Sequence, residues 1–135
     1  MARGEARAAA IQLIYAQMMG GGGGEDALGG LIGFSPTGDD MAYLEDVVPG
    51  VRAHEDVLDA RIARYLVRWS LERLARVDLA ILRLGAYEIL YRDDIPGAVA
   101  VNEAVELSHA FSTDEAGAFI NGVLGSLLRG LEGPP

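Results

Sequence analysis

Apolar residues recur at helical spacing along almost the whole chain, and no stretch alternates apolar and polar positions toward a hairpin turn, so the pattern predicts an all-α protein. Ile11, Ile14, Tyr15 and Met18 stand at i, i+3, i+4 and i+7, which places a first helix over about residues 4 to 19. The glycine run at 20–24 stops it. Residues 25–33 suggest a short helix, and "SPTGDD" reads as a turn feeding a helix start. Leu44, Val48, Val51, Leu58, Ile62, Tyr65 and Trp69 then keep one helical face, predicting one long helix or two collinear ones from Met41 to about residue 68. Pro49 lacks a donor and crowds the preceding turn, and Gly50 follows it, so a kink or break is expected near 48–50.

The stretch "VDLAILRLGAYEILY" (77–91) is apolar nearly all round. Its charged residues Asp78, Arg83 and Glu88 are five apart, about 140° per step, and therefore share no face. A helix of that kind is buried on several sides and is expected to be the central one. "RDDIPG" makes a corner, after which a helix over about 97–110 should turn Val101, Ala104, Val105 and Ser108 inward and Asn102, Glu106 and His109 outward. Ser112-Thr113-Asp114-Glu115 reads as a capping box with Ser112 at the N-cap and Glu115 at N3, so the last helix should start near 113. Gly117, Gly122, Gly125 and Gly130 interrupt its apolar stripe. Each interior glycine costs about 1 kcal/mol relative to alanine, which points to close backbone packing at some of them and a C-cap at Gly130.

Composition narrows the function classes. The chain has 135 residues, half of them hydrophobic, which suits one domain. It has no cysteine, which excludes disulfides and thiolate metal sites and suits a reducing cytoplasm. Gln12 and Gln17 interrupt the apolar run after Arg3 and Arg7, and Glu5 sits among those basic residues, so a secretory signal is not expected. No stretch approaches the roughly 18 continuous apolar residues of a membrane span. The net charge of −9 argues against nucleic-acid binding through bulk positive charge. The distribution differs from the sum, because Arg61, Arg64, Arg68, Arg73, Arg76 and Arg83 lie in one segment opposed only by Glu72 and Asp78.

Catalytic and metal constellations are missing. Glu106 and His109 form the E-x-x-H unit that di-iron bundles use twice, but the other histidine, His54, has Val51 three residues before it. His54-Glu55 is followed by Leu58 where a zinc peptidase needs its second histidine. There is no G-x-S-x-G elbow, no Gly-Lys-Ser/Thr follows the glycine run, and Asp93-Asp94 before Ile95-Pro96 has the composition of a turn. The residues describe a helical binding module, not an enzyme, with no catalytic residue, metal or cofactor expected.

The order of residues says more. "RVDLAILRLGAYEILYRDDIPGAVAVNEAVELSHAFSTDEAGAFINGVLGSLL", residues 76 to 128, strongly resembles the NusB family of bacterial transcription antitermination factors. The family pattern appears as Asp78, "AILRLGAYEIL", "DDIP", "VAVNEAVELS", Phe111, "STDE" and "FINGVL". The first helix is similar too, in Arg3 through Gln12 and Tyr15, whereas the middle from Gly20 to about Ala53, with its glycine-rich variable loop region at 20–40, matches only in element order. The resemblance implies an all-α fold of about seven helices in two packed three-helix subdomains, forming a single RNA-binding domain over 1–135 with a disordered tail at 132–135. It implies binding of boxA RNA in nascent, especially ribosomal, transcripts together with ribosomal protein S10, alongside other Nus factors and RNA polymerase, without catalysis and without a membrane.

By resemblance, Arg3, Arg7, Phe111, Ser112, Glu115, Phe119 and Asn121 fall where the family meets RNA, and Tyr15, Glu72 and Asp78 where it meets S10. Arginine pairs with phosphate, Phe111 can stack on an unpaired base, and a helix N-terminus presents free N–H groups. Glu115 would repel phosphate, and core packing is the alternative role for Phe111 and Phe119. Gly4 and Glu5 replace residues that are often basic in the family, which predicts fewer phosphate contacts and weaker, less salt-sensitive RNA binding. Gly97 replaces an aromatic or long side chain and would trim a partner interface. These departures keep a second expectation in view, a NusB-like module with weakened RNA binding that serves protein interaction or homodimerisation.

Overall fold

Ten consecutive residues of one helix, Leu79 to Glu88, are buried, and the other helices are arranged around them. The computed structural model describes residues 3–20, 38–68 and 70–132. The glycines at 21–24, the short helix expected over 25–33, the turn at 35–37, Trp69 and the tail at 133–135 lie outside the described residues. Among the described residues the elements are α1 (Arg3–Met18), α2 (Gly38–Ala53), α3 (Glu55–Ala63), a 3-10 turn (Leu71–Arg73), α4 (Arg76–Tyr91), α5 (Gly97–Phe111) and α6 (Asp114–Glu132). α4 packs against every other α-helix, so the groups α1–α3 and α4–α6 share one core along it.

Asp78, Arg83 and Glu88 of α4 each leave the helix in a different direction, as their spacing requires. Ser112 donates to Asp78 at 2.6 Å. Arg83 makes a two-pronged pair with Asp59, 2.8 Å on each prong, and reaches Glu55 at 3.4 Å. Glu88 accepts from Arg7 and Tyr43. A helix with no solvent face therefore buries its charges by pairing each with a neighbouring element.

Four local expectations change. α2 continues through Pro49 and the break comes later, at His54 (φ −107°, ψ 18°). Pro49 is exposed, while Val47, Val48 and Val51 stay in the core, so burial holds the helix past the missing hydrogen bond. α3 ends at Ala63 instead of near 68, and Tyr65 crosses to α6, where a Cβ on Gly130 would stand 2.5 Å from its hydroxyl. Gly130 is thus an interior close approach and not a C-cap, since α6 runs on to Glu132. The cap of α6 is Thr113, whose Oγ1 accepts the Ala116 N–H at 3.1 Å. Ser112 instead turns its hydroxyl toward the Asp78 carboxylate and donates a charge-assisted hydrogen bond to it. Glu115 consequently stands one position before N3, and the expected box does not form.

Gly50 and Gly122 give opposite expectations for the same substitution. A Cβ at Gly50 would lie 2.5 Å from the Tyr87 ring, which is anchored by a 2.8 Å bond from its hydroxyl to Asp46. Gly50→Ala should therefore destabilise by roughly 1–3 kcal/mol through overpacking. At Gly122 a Cβ meets nothing within 4 Å, so Gly122→Ala should stabilise by up to about 1 kcal/mol. Urea midpoints of the two variants check both signs.

Candidate nucleic-acid interface

The chain turns from α5 into α6 through Phe111, Ser112 and Thr113, and this corner carries most of the residues singled out above. Phe111 ends α5 and is 37 % exposed. Ser112 is tied to Asp78 in the first turn of α4, and Thr113 caps α6. Asp114 and Glu115 occupy the first turn of α6, where carboxylates suit the helix dipole.

Two clefts flank the corner. On one side Phe111 and Val77 face Ile11, Gln12 and Tyr15 of α1 across a cavity of about 300 Å³. On the other, Thr113, Glu115 and Phe119 face Arg73 and Asp78 across one of about 290 Å³. The Ser112–Asp78 bond joins them, so Tyr15, Asp78, Phe111, Ser112, Glu115 and Phe119 lie on one continuous surface. Residues assigned by resemblance to two partners thus share a face. Its chemistry is aromatic and acidic: Tyr15 and Phe111 are the exposed rings, Asp78 and Glu115 the carboxylates, and Arg73 the cation.

The remaining candidates lie elsewhere. Glu72 is exposed in the 3-10 turn, where its own backbone N–H and the Ser70 hydroxyl hold its carboxyl below the usual range. Asn121 is exposed on α6 but stands about 200° further round than Phe119, so the two share no face. Arg3 opens α1, and its side chain lies outside what the structure describes. Gly97 is half-buried at the start of α5. Its bare backbone is covered by Leu128, which a Cβ there would strike.

Arg7 is the main correction. It is only 5 % exposed, with Nε donating to the two Glu88 oxygens at 3.0 and 3.2 Å and Nη2 donating to one of them at 3.0 Å. Nη1 lies 3.4 Å from Glu103, and Tyr43 also donates to Glu88. Burial works against the charge, but the hydrogen bonds and charge of Glu88 hold the Arg7 guanidinium above its ordinary pKa. The reason is electrostatic: a carboxylate buried in α4 requires a cation, and Arg7 supplies it instead of facing a phosphate.

His109 pairs with Asp114 at 3.1 Å on an exposed face, and no group of metal-ligating side chains forms among the described residues. Nor is any helix among them long and apolar enough to cross a membrane. Arg68 and Arg73 stand out in the sequence only as members of a basic segment; their place beside Phe119 becomes clear in the fold.

The family model described as "NusB family" matches residues 4–129. A transcription antitermination protein NusB from Acetivibrio thermocellus is 40 % identical over 130 residues, spanning 96 % of this chain and 90 % of that protein. Among solved structures, T. maritima NusB superposes with a TM-score of 0.84 at 28 % identity, covering 96 % of this chain and 92 % of that one. A structure of antitermination factors NusB and NusE in complex with dsRNA superposes with a TM-score of 0.81 at 24 % identity over 95 % and 96 % of the two chains, a likeness of fold.

Proposed function

This chain belongs to the NusB family, and from that premise we propose that it is a transcription antitermination factor that binds boxA RNA of nascent ribosomal transcripts together with ribosomal protein S10. It acts as a single domain over 1–135 in the cytoplasm, in a complex with other Nus factors and RNA polymerase, and carries out no catalytic step. The observation that carries this is the continuous surface around the α5–α6 corner, where two aromatic-walled clefts meet at the Ser112–Asp78 bond. Phe111 and Phe119 offer faces for unpaired bases, and the start of α6 and Arg3 offer donors to phosphate. Tyr15, Asp78 and Glu72 offer an acidic, aromatic edge to a basic protein. Asn121 stands outside this surface, and Glu115 limits affinity by repelling phosphate.

Because Tyr15 and Asp78 share a face with Phe111, Ser112, Glu115 and Phe119, RNA and S10 should bind as a coupled pair. Anisotropy of a labelled boxA-like RNA, titrated at two salt concentrations, should show weak binding by the chain alone and an increase of roughly 5- to 150-fold with S10. If S10 neither binds nor raises RNA affinity, this function is wrong. The burial of Arg7 favours a second reading, a family member with weakened RNA binding that works by protein contact or homodimerisation; S10 binding with no RNA affinity at either salt would select it.

A further inference from the structure

We propose that the groove between residues 65–68 and the outer face of α6 carries unpaired nucleotides of the same RNA, extending the nucleic-acid path beyond Phe119. This rests on the RNA reading above and names where that RNA continues. The groove has a volume of about 570 Å³ and is lined by Tyr65, Val67, Arg68, Phe119, Gly122 and Ser126, among others. Phe119 lines both this groove and the Arg73–Asp78 cleft, so the groove adjoins the α5–α6 corner on its far side.

Three features give the groove its ligand. The first is charge: among the described residues no carboxylate lines it and Arg68 does, and neither Arg68 nor Arg73 of the adjoining cleft forms an ion pair there, whereas Arg7, Arg83 and Arg92 are paired. On a chain of net charge −9 these two cations of the basic segment remain to meet a polyanion. The second is apolar exposure, with Val67 91 % exposed beside the Tyr65 and Phe119 rings. The third is the floor at Gly122, where a Cβ would meet nothing within 4 Å. A cation beside aromatic faces over an open floor suits a flexible strand that presents phosphates and flat bases together. Arg68 also supplies a phosphate partner that Arg7 does not.

The test uses the full chain with S10 and two labelled RNAs, a boxA-like oligonucleotide and the same sequence extended by unpaired nucleotides. The wild type should bind the extended RNA about tenfold more tightly. Gly122→Leu, which fills the groove from a position with no neighbour to disturb, should abolish that gain and leave the short RNA unaffected. Arg68→Ala should reduce the gain and lower the salt slope by about 0.7 for each phosphate that is no longer neutralised. The proposal is overturned if extension adds nothing or if both variants keep the full gain. Loss of S10 binding in Gly122→Leu with the RNA gain intact would overturn it in favour of a protein groove. If even the short RNA fails to bind in the presence of S10, the RNA reading itself falls, and this extension with it.

Discussion

Arg7→Ala should destabilise the protein by about 3–5 kcal/mol, the cost of leaving one member of a buried ion pair without its partner. For a domain of this size that lowers the melting temperature by roughly 10–18 °C. Glu88 is 1 % exposed, so its carboxylate cannot recover the missing cation from water. Tyr43 gives it one further donor but no charge. Arg7→Lys should recover only part of the stability, because an ammonium cannot reproduce the three hydrogen bonds that the guanidinium donates to the Glu88 oxygens. Arg7→Met with Glu88→Leu should come close to the wild type, since it removes both charges. Thermal melts establish the order, and RNA anisotropy well below the melting point separates folding from direct binding. Per folded molecule, Arg7→Ala should keep its RNA affinity. An unchanged melt combined with abolished RNA binding would instead put the Arg7 side chain on the RNA.

How much of the fold is legible in the sequence depends on the range of the interaction. The central helix is legible because its signal is local: charges five residues apart cannot share a face, and α4 sends them three ways. On α5 spacing places Val101, Ala104 and Ser108 inward and Asn102, Glu106 and His109 outward, as found, while Val105 is only half-buried. Arg7 is misplaced by local reading because its partner is 81 residues away, and no periodicity in α1 announces a buried carboxylate in α4. The cap of α6 shifts by one residue for a related reason, as Asp78 is 34 residues before Ser112. Local rules put the break of α2 at Pro49, and tertiary burial moves it to His54. At the candidate site, the ordered motif identifies Phe111, Ser112 and Phe119, but only the fold shows that Phe111 shares a cleft with Tyr15 and that Phe119 stands between Arg68 and Arg73.

Phe111 and Phe119 are where the RNA reading carries the most free energy and where core packing competes with it. Phe111→Ala should weaken RNA binding by about 1–3 kcal/mol, roughly 5- to 150-fold, if the ring stacks on a base. The stability cost should stay small, because the side chain is partly in water and ends its helix. Phe119 is half-buried and packs against the core, so Phe119→Ala should cost both RNA affinity and roughly 1–2 kcal/mol of stability. Leucine separates the two roles, since it restores apolar volume but has no π-face. Were Phe111 a packing residue only, Phe111→Leu would bind RNA like the wild type; as a stacking residue it should remain close to the alanine variant. Phe119→Leu should recover most of the stability and little of the affinity. Wild-type RNA binding in both leucine variants would remove stacking from this surface and leave Arg3, Arg68, Arg73 and the start of α6 as the groups able to hold the RNA.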